Sequence, residues 1–277
     1  MIYWHIGYPK TGTTFLQKLI FPKIQEINYV GRKLILPKRH NVIINNFLNK
    51  ILPLKYRRFG TYFNEYYLHK IAYDEQFDFE EFSNKLNKNL IQDKVNLISS
   101  EGFFDTVNLE RTIKRIIKVS KNLGFDYQIV ITIRKPSDII LSRYMHDVSS
   151  LKEDKRYSLE SVIRYDDNIC CTPPQCKFFN KCVCGANKKI YINDYKYDEI
   201  FFRIENVLNE KKLIIWKYED IFKDIDSIIF TTFNIKTKFN YLLEKKINFR
   251  GKKEKKMLLK FTNNEKTINK IGLDLKY

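Results

Sequence analysis

One short segment constrains this chain more than any other. Gly7-Tyr8-Pro9-Lys10-Thr11-Gly12-Thr13-Thr14 stands between a β-rich stretch, Ile2-Tyr3-Trp4-His5-Ile6, and a helix start over Thr14–Ile20. Glycines spaced G-x-x-x-x-G between a strand and a helix let backbone N–H groups wrap around an anionic group. The N-terminus of the following helix adds partial positive charge.

The rest of the chain alternates strands with helices. Residues 94–100, 127–133 and 212–217 read as strands, and 127–133 (Tyr-Gln-Ile-Val-Ile-Thr-Ile) is apolar enough to be covered on both faces. Residues 78–91 predict an amphipathic helix: Asp78 caps it, Glu81 sits three residues on, and Phe82, Leu86 and Leu90 repeat at spacing four. A helix near 107–122 places Leu109, Ile113, Ile116 and Ile117 on one face. Pro136 opens another helix to about His146, and 197–209 and 224–233 complete the set. This alternation predicts an α/β fold with a mostly parallel sheet and right-handed crossovers. No repeat or linker tract interrupts it, so residues 1–277 read as one domain.

The 277 residues carry 50 Lys+Arg against 32 Asp+Glu, a net charge of +18, with 44% hydrophobic residues. That apolar content supports a packed core, so the charge does not signal disorder. The positive balance suits an anionic ligand, a polyanion or a membrane surface, but abundant Lys, Asn and Ile equally follow from an AT-rich gene. No run of about 18 apolar residues is present, so no transmembrane segment is expected. The N-terminus shows no basic flank or cleavage site, and a cytoplasmic location is expected.

A nucleoside-triphosphate loop requires Lys directly after its second glycine, to reach the β- and γ-phosphates. Thr13 occupies that place, and the lysine lies inside the loop as Lys10. A kinase or nucleotidase reading is thereby weakened. Pro9-Lys10-Thr11-Gly12-Thr13-Thr14 instead resembles the 5′-phosphosulfate loop of sulfotransferases that use 3′-phosphoadenosine 5′-phosphosulfate (PAPS). The resemblance implies a three-layer fold around a central sheet. It also implies that Pro9 through Thr14 hold the 5′ end of the donor, with Lys10 at the bridging oxygen or the transferred sulfuryl group.

A second motif fits the same family. Arg134 ends the apolar strand 127–133, and Ser142 follows eight residues later, two turns into the next helix. An Arg fork and a hydroxyl so placed can converge on one phosphate. The pair resembles the family's 3′-phosphate motif, which implies that Arg134 and Ser142 grip that group. Tyr218-Glu219-Asp220 matches a late Tyr-Glu-Asp element of the family, in which the tyrosine lies near the adenine in some members. A purely structural Tyr with an Asp helix cap is the alternative. Residues 264–275 resemble the family's closing segment, and Phe249-Arg250-Gly251 resembles a late basic loop only faintly.

Sulfuryl transfer aligns an acceptor with sulfur, removes the acceptor's proton, and meets charge developing on the bridging oxygen. The sulfuryl group carries less charge than a phosphoryl group, so no metal is required. Glu101, directly after the strand 94–100, is the candidate base. Burial raises a carboxyl pKa, whereas nearby Lys10 opposes that rise. Cytosolic members of the family place His after the corresponding strand, and this chain has none there. Glu101 has a second reading, in which it orients backbone or binds a substrate hydroxyl. His5, in a buried strand, reads as a satisfied core residue. His146 reads as structural, and His40 and His69 fall in segments the pattern does not place.

All five cysteines (Cys170, Cys171, Cys176, Cys182 and Cys184) fall within 15 residues, in an insertion at about 168–188. Four thiolates suit zinc, but paired C-x-x-C spacing is absent, so free thiols or occasional disulfides stay open beside it. The resemblance implies that this region serves acceptor recognition or forms a lid. The acceptor is expected to be a hydroxyl or amine, on a carbohydrate given the Glu101 candidate and the 18 Tyr and 21 Phe available to stack on sugars. A nucleic-acid binder built on the +18 charge is the remaining alternative, and it leaves the two anion motifs unexplained.

Overall fold

The computed structural model describes residues 1–8, 10–31, 65–100, 103–104, 108–140, 142, 163–164, 190–191, 195–208 and 212–247. Contacts gather the chain into two compact units. One comprises Met1–Ile133 with Ile204–Asn240, the other Arg134–Arg203 with Tyr241–Tyr277.

The first unit is built on a five-stranded sheet in the order β2-β3-β1-β4-β7, parallel at every pairing. Its strands are β1 (Ile2–Gly7), β2 (Ile27–Gly31), β3 (Val95–Ser100), β4 (Tyr127–Ile133) and β7 (Leu213–Lys217). Parallel strands need crossovers, and the helices supply them. Helix α1 (Thr13–Phe15) runs on through a π-helical turn, Leu16–Ile20, and a 3₁₀ turn, Phe21–Lys23. Then come α2 (Glu65–Tyr73), α3 (Phe79–Asn87) and α4 (Leu109–Asn122). Helices α6 (Tyr218–Lys223) and α7 (Ile225–Phe233) follow β7.

The central strand faces helices on both sides, because neighbouring side chains of a strand point to opposite faces. Trp4 donates its indole N–H to Ser120 Oγ of α4 at 2.9 Å. Its neighbour His5 turns to the other face, between Phe21 (ring centroids 5.3 Å apart) and Trp216 (5.6 Å). Trp216 in turn donates to Thr232 Oγ1 of α7 at 3.0 Å. These two layers of helices and the sheet between them make the three-layer α/β arrangement.

The expected helix over 78–91 is shorter, ending at Asn87. Asp78 caps it as expected, accepting the Glu81 amide at 2.8 Å. Phe82 and Leu86 are buried, while Leu90 lies beyond the end and is half-buried. Asn89 stops the helix by donating to the Lys85 carbonyl at 2.9 Å. In α4, Leu109, Ile113 and Ile116 are buried, but Ile117 is half-buried. Arg115 takes inward space instead, because the Ile71 carbonyl accepts its guanidinium at 3.1 Å and it lies over the Phe77 ring. Strand β2 and helices α2 and α6 were not expected from the pattern.

In the second unit, residues 136–140 are helical, and so is Ser142. A two-stranded parallel pairing joins β5 (Ile163–Arg164) to β6 (Ile190–Tyr191). Helices α5 (Tyr197–Glu205) and α8 (Asn240–Ile247) follow. Helix α5 ends earlier than expected, in a turn closed by the Val207 and Leu208 amides on the Ile204 carbonyl. Among the described residues, no helix is long and apolar enough to cross a membrane.

Candidate active site

The glycine loop leaves the C-terminal end of β1, the middle strand of the sheet. Lys10 and Gly12 both take left-handed backbone conformations, at φ 65° and 80°. Glycine adopts this region freely and lysine does so at a cost, so the turn at Lys10 holds strain. Thr11 fastens the turn: its amide reaches the Tyr8 carbonyl at 3.3 Å and its hydroxyl donates there at 2.6 Å. The Gly12 carbonyl then accepts the Phe15 and Leu16 amides and starts the helix.

Both glycines are dictated by close approach. A Cβ on Gly7 would lie 1.9 Å from Cγ2 of Thr13, so strand end and helix start are in contact. A Cβ on Gly12 would lie 2.9 Å from Cε2 of Phe222 and 3.1 Å from Cε2 of Tyr218. The Tyr218 and Phe222 rings pair at 4.4 Å, and Phe15 meets Phe222 at 5.1 Å. An aromatic pair on α6 therefore lies flush against the loop backbone. Tyr218 is half-buried, as is Lys10, while Thr11 and Thr13 are buried and Thr14 is exposed.

Beneath the loop runs a buried polar chain. Nδ1 of His5 lies 2.7 Å from Ser99 Oγ on β3, and Nε2 lies 2.7 Å from Thr132 Oγ1 on β4. Gln17, in the π-helical turn, donates its amide N–H to the same Ser99 Oγ at 3.0 Å. All four side chains are buried. Burial lowers the His5 pKa from the ordinary 6.5 to about 3, so the imidazole is neutral. A neutral ring offers one donor and one acceptor, which suits two hydroxyls, each able to play either part. His5 is thus the satisfied core histidine expected from the sequence, with more partners than a lone strand could reveal.

In the second unit, Arg134 directly follows β4 in the chain and is 9% exposed. Its backbone is pinned by Tyr197: the Tyr197 hydroxyl donates to the Arg134 carbonyl at 2.6 Å, and the Arg134 amide reaches that hydroxyl at 3.3 Å. Asp138, one helical turn on, lies 3.8 Å from the Arg134 Nε. Ser142 is half-buried and helical. Pro9, Glu101, His40, His146, Arg250 and the five cysteines lie outside the described residues. His69 lies in α2, half-buried, with its ring centroid 6.2 Å from that of Tyr73.

Phe222, Gln17 and Tyr197 were not among the expected site residues. Phe222 follows Tyr218 by four positions, one helical turn, and that spacing was a usable signal once a helix at 218 was recognised. Tyr197 stands 63 residues from Arg134, and no local pattern links them.

These features define a class: an α/β protein with a glycine loop after its central strand, whose lysine sits inside the loop. The sulfotransferase domain family matches residues 3–234, which spans the loop, Arg134, Ser142 and Tyr218. The chain belongs to the sulfotransferase-domain family, and its chemistry is transfer of a sulfuryl group. No curated protein matches it in sequence. A solved structure, the crystal structure of a sulfotransferase from Alicyclobacillus acidocaldarius, is similar to it at 14% identity and a TM-score of 0.46. That match covers 82% of this chain and 76% of the other.

Proposed function

We propose that this protein transfers the sulfuryl group of PAPS to a hydroxyl or amine acceptor, on a carbohydrate, in the cytoplasm. The observation that carries the donor reading is the loop: a left-handed Lys10 and Gly12, tied down by Thr11, with the lysine inside the turn. In this reading Pro9 through Thr14 take the 5′ end of the donor, through the main-chain amides of the loop and the hydroxyls of Thr13 and Thr14. Lys10 stabilises negative charge on the bridging oxygen as the sulfur–oxygen bond breaks. Arg134 and Ser142 hold the 3′-phosphate, a group a simple nucleoside triphosphate lacks. Tyr218, beside Gly12, offers a face for the adenine.

Glu101 takes the acceptor's proton as the new oxygen–sulfur or nitrogen–sulfur bond forms, and 3′-phosphoadenosine 5′-phosphate leaves. The chemistry needs no metal. The acceptor reading rests on Glu101 and on the aromatic content alone.

Calorimetric titration with 3′-phosphoadenosine 5′-phosphate tests the donor, and an acceptor screen with labelled PAPS tests the rest. Saturable binding to one site, lost in Arg134→Ala, is expected. ATP turnover with Mg²⁺ and no affinity for the bisphosphate would overturn the reading.

A further inference from the structure

The buried chain Thr132–His5–Ser99–Gln17 belongs to no part of the reaction described so far, yet its placement is specific. His5 lies two residues before Gly7, where the loop begins. Ser99 lies two residues before Glu101, and Thr132 two residues before Arg134. The strands concerned are the middle three of the sheet, and Gly7 stands opposite Thr132 in register. Gln17 extends the chain from Ser99 to the helical run that leaves the loop.

A packed apolar core would hold these strands without such a chain. Burying four polar side chains costs free energy unless each is partnered, and leaving one partner out is worse than replacing all of them. Three distances of 3.0 Å or less meet that demand here. Hydrogen bonds fix direction where apolar packing does not, and the direction fixed is that of the helix start relative to β1 and β3. The π-helical geometry of Leu16–Ile20 belongs to the same arrangement, since Gln17, buried at 3% exposure, is one of its residues.

We propose that His5 is a positioning residue for sulfuryl transfer. Its ring locks β3 and β4 to β1 just below their ligand-bearing ends. Through Ser99 and Gln17 it sets the register of the glycine loop, and so of Lys10. The proposal rests on the assignment of that loop as the donor site.

The test uses the full chain and variants that spare the imidazole. Gln17→Met cuts only the link to the loop helix, Ser99→Ala cuts two links, and Ser99→Thr keeps the hydroxyl. In the unliganded protein, amide exchange at Phe15 and Leu16 is expected to rise about three- to tenfold in Gln17→Met and Ser99→Ala, with exchange in α4 unchanged. Ser99→Thr should stay near wild type. With labelled PAPS, kcat should fall about ten- to a hundredfold in the first two variants while KM for the donor moves little. Unchanged exchange at Phe15 and Leu16, or an equal rise in α4, overturns the proposal, as does an unchanged kcat. A wild-type protein that ignores PAPS would refute the donor reading instead, and the exchange measurement would still decide whether the buried chain holds the helix start of the loop.

Discussion

A methyl group on Gly12 would sit 2.9 Å from Cε2 of Phe222, so the loop backbone and the α6 aromatic pair leave no room between them. Gly12 also stands at φ 80°. Gly12→Ala meets both obstacles, and about 1–3 kcal/mol of backbone strain is expected. Affinity for 3′-phosphoadenosine 5′-phosphate should fall at least tenfold by calorimetry, with circular dichroism unchanged. Adding Phe222→Leu relieves the closest contact but leaves Tyr218 Cε2 at 3.1 Å and the backbone strain, so it should restore only part of the loss.

Lys10 opposes stability to function. Its left-handed conformation costs a non-glycine residue about 1–2 kcal/mol. Lys10→Gly relieves that cost and should melt at or above the wild-type temperature, whereas Lys10→Ala should not. Both should lose transfer by about two to three decades, measured with labelled PAPS.

Glu101→Gln separates binding from turnover. Affinity for the bisphosphate nucleotide should be preserved, while the transfer rate drops by about two decades or more. A variant of normal rate would retire Glu101 as the base.

His5 sets an acid limit on stability. Its folded pKa of about 3 lies below the ordinary 6.5 of an unfolded chain. Between these values the unfolded state binds the extra proton, so stability is complete above pH 6.5 and falls as pH drops towards 3. The contribution is about 1.4 kcal/mol per pH unit in that window. Urea unfolding at several pH values should show a flatter acid limb in His5→Gln than in the wild type.

Tyr197→Phe removes the hydroxyl that meets both the amide and the carbonyl of Arg134. Nucleotide affinity should fall about five- to tenfold. Adenosine 5′-phosphosulfate, which lacks the 3′-phosphate, should bind both proteins alike. A loss that affects both ligands equally would point to a general loosening instead.

Much of the frame was legible. Strand β4 is apolar through most of its length and matches its expected bounds, and α3 carries its cap in plain view at Asp78. The loop was legible because glycine has few substitutes where a Cβ would collide. Strand β2 was not, because Asn28 interrupts its apolar run. Asn28 is accommodated by the Asn89 carbonyl and the Asn96 side chain, both at 2.7 Å and both far along the chain. Helix α6 was hidden because β7 passes into it at Tyr218 with no glycine or proline between. In α4, the inward turn of Arg115 depended on the Ile71 carbonyl near the end of α2, which no periodicity within α4 could announce. The partners of His5 needed the register of three strands at once.

The π-helical turn at Leu16–Ile20 has a consequence for how this chain can vary in length. Removing a single residue there would let the run close towards an ordinary α-helix. The spacing that presents Gln17 to Ser99, and Phe21 to His5 and Tyr29, would then change. The distance along the chain from Gly12 to Phe21 is therefore a structural quantity in its own right.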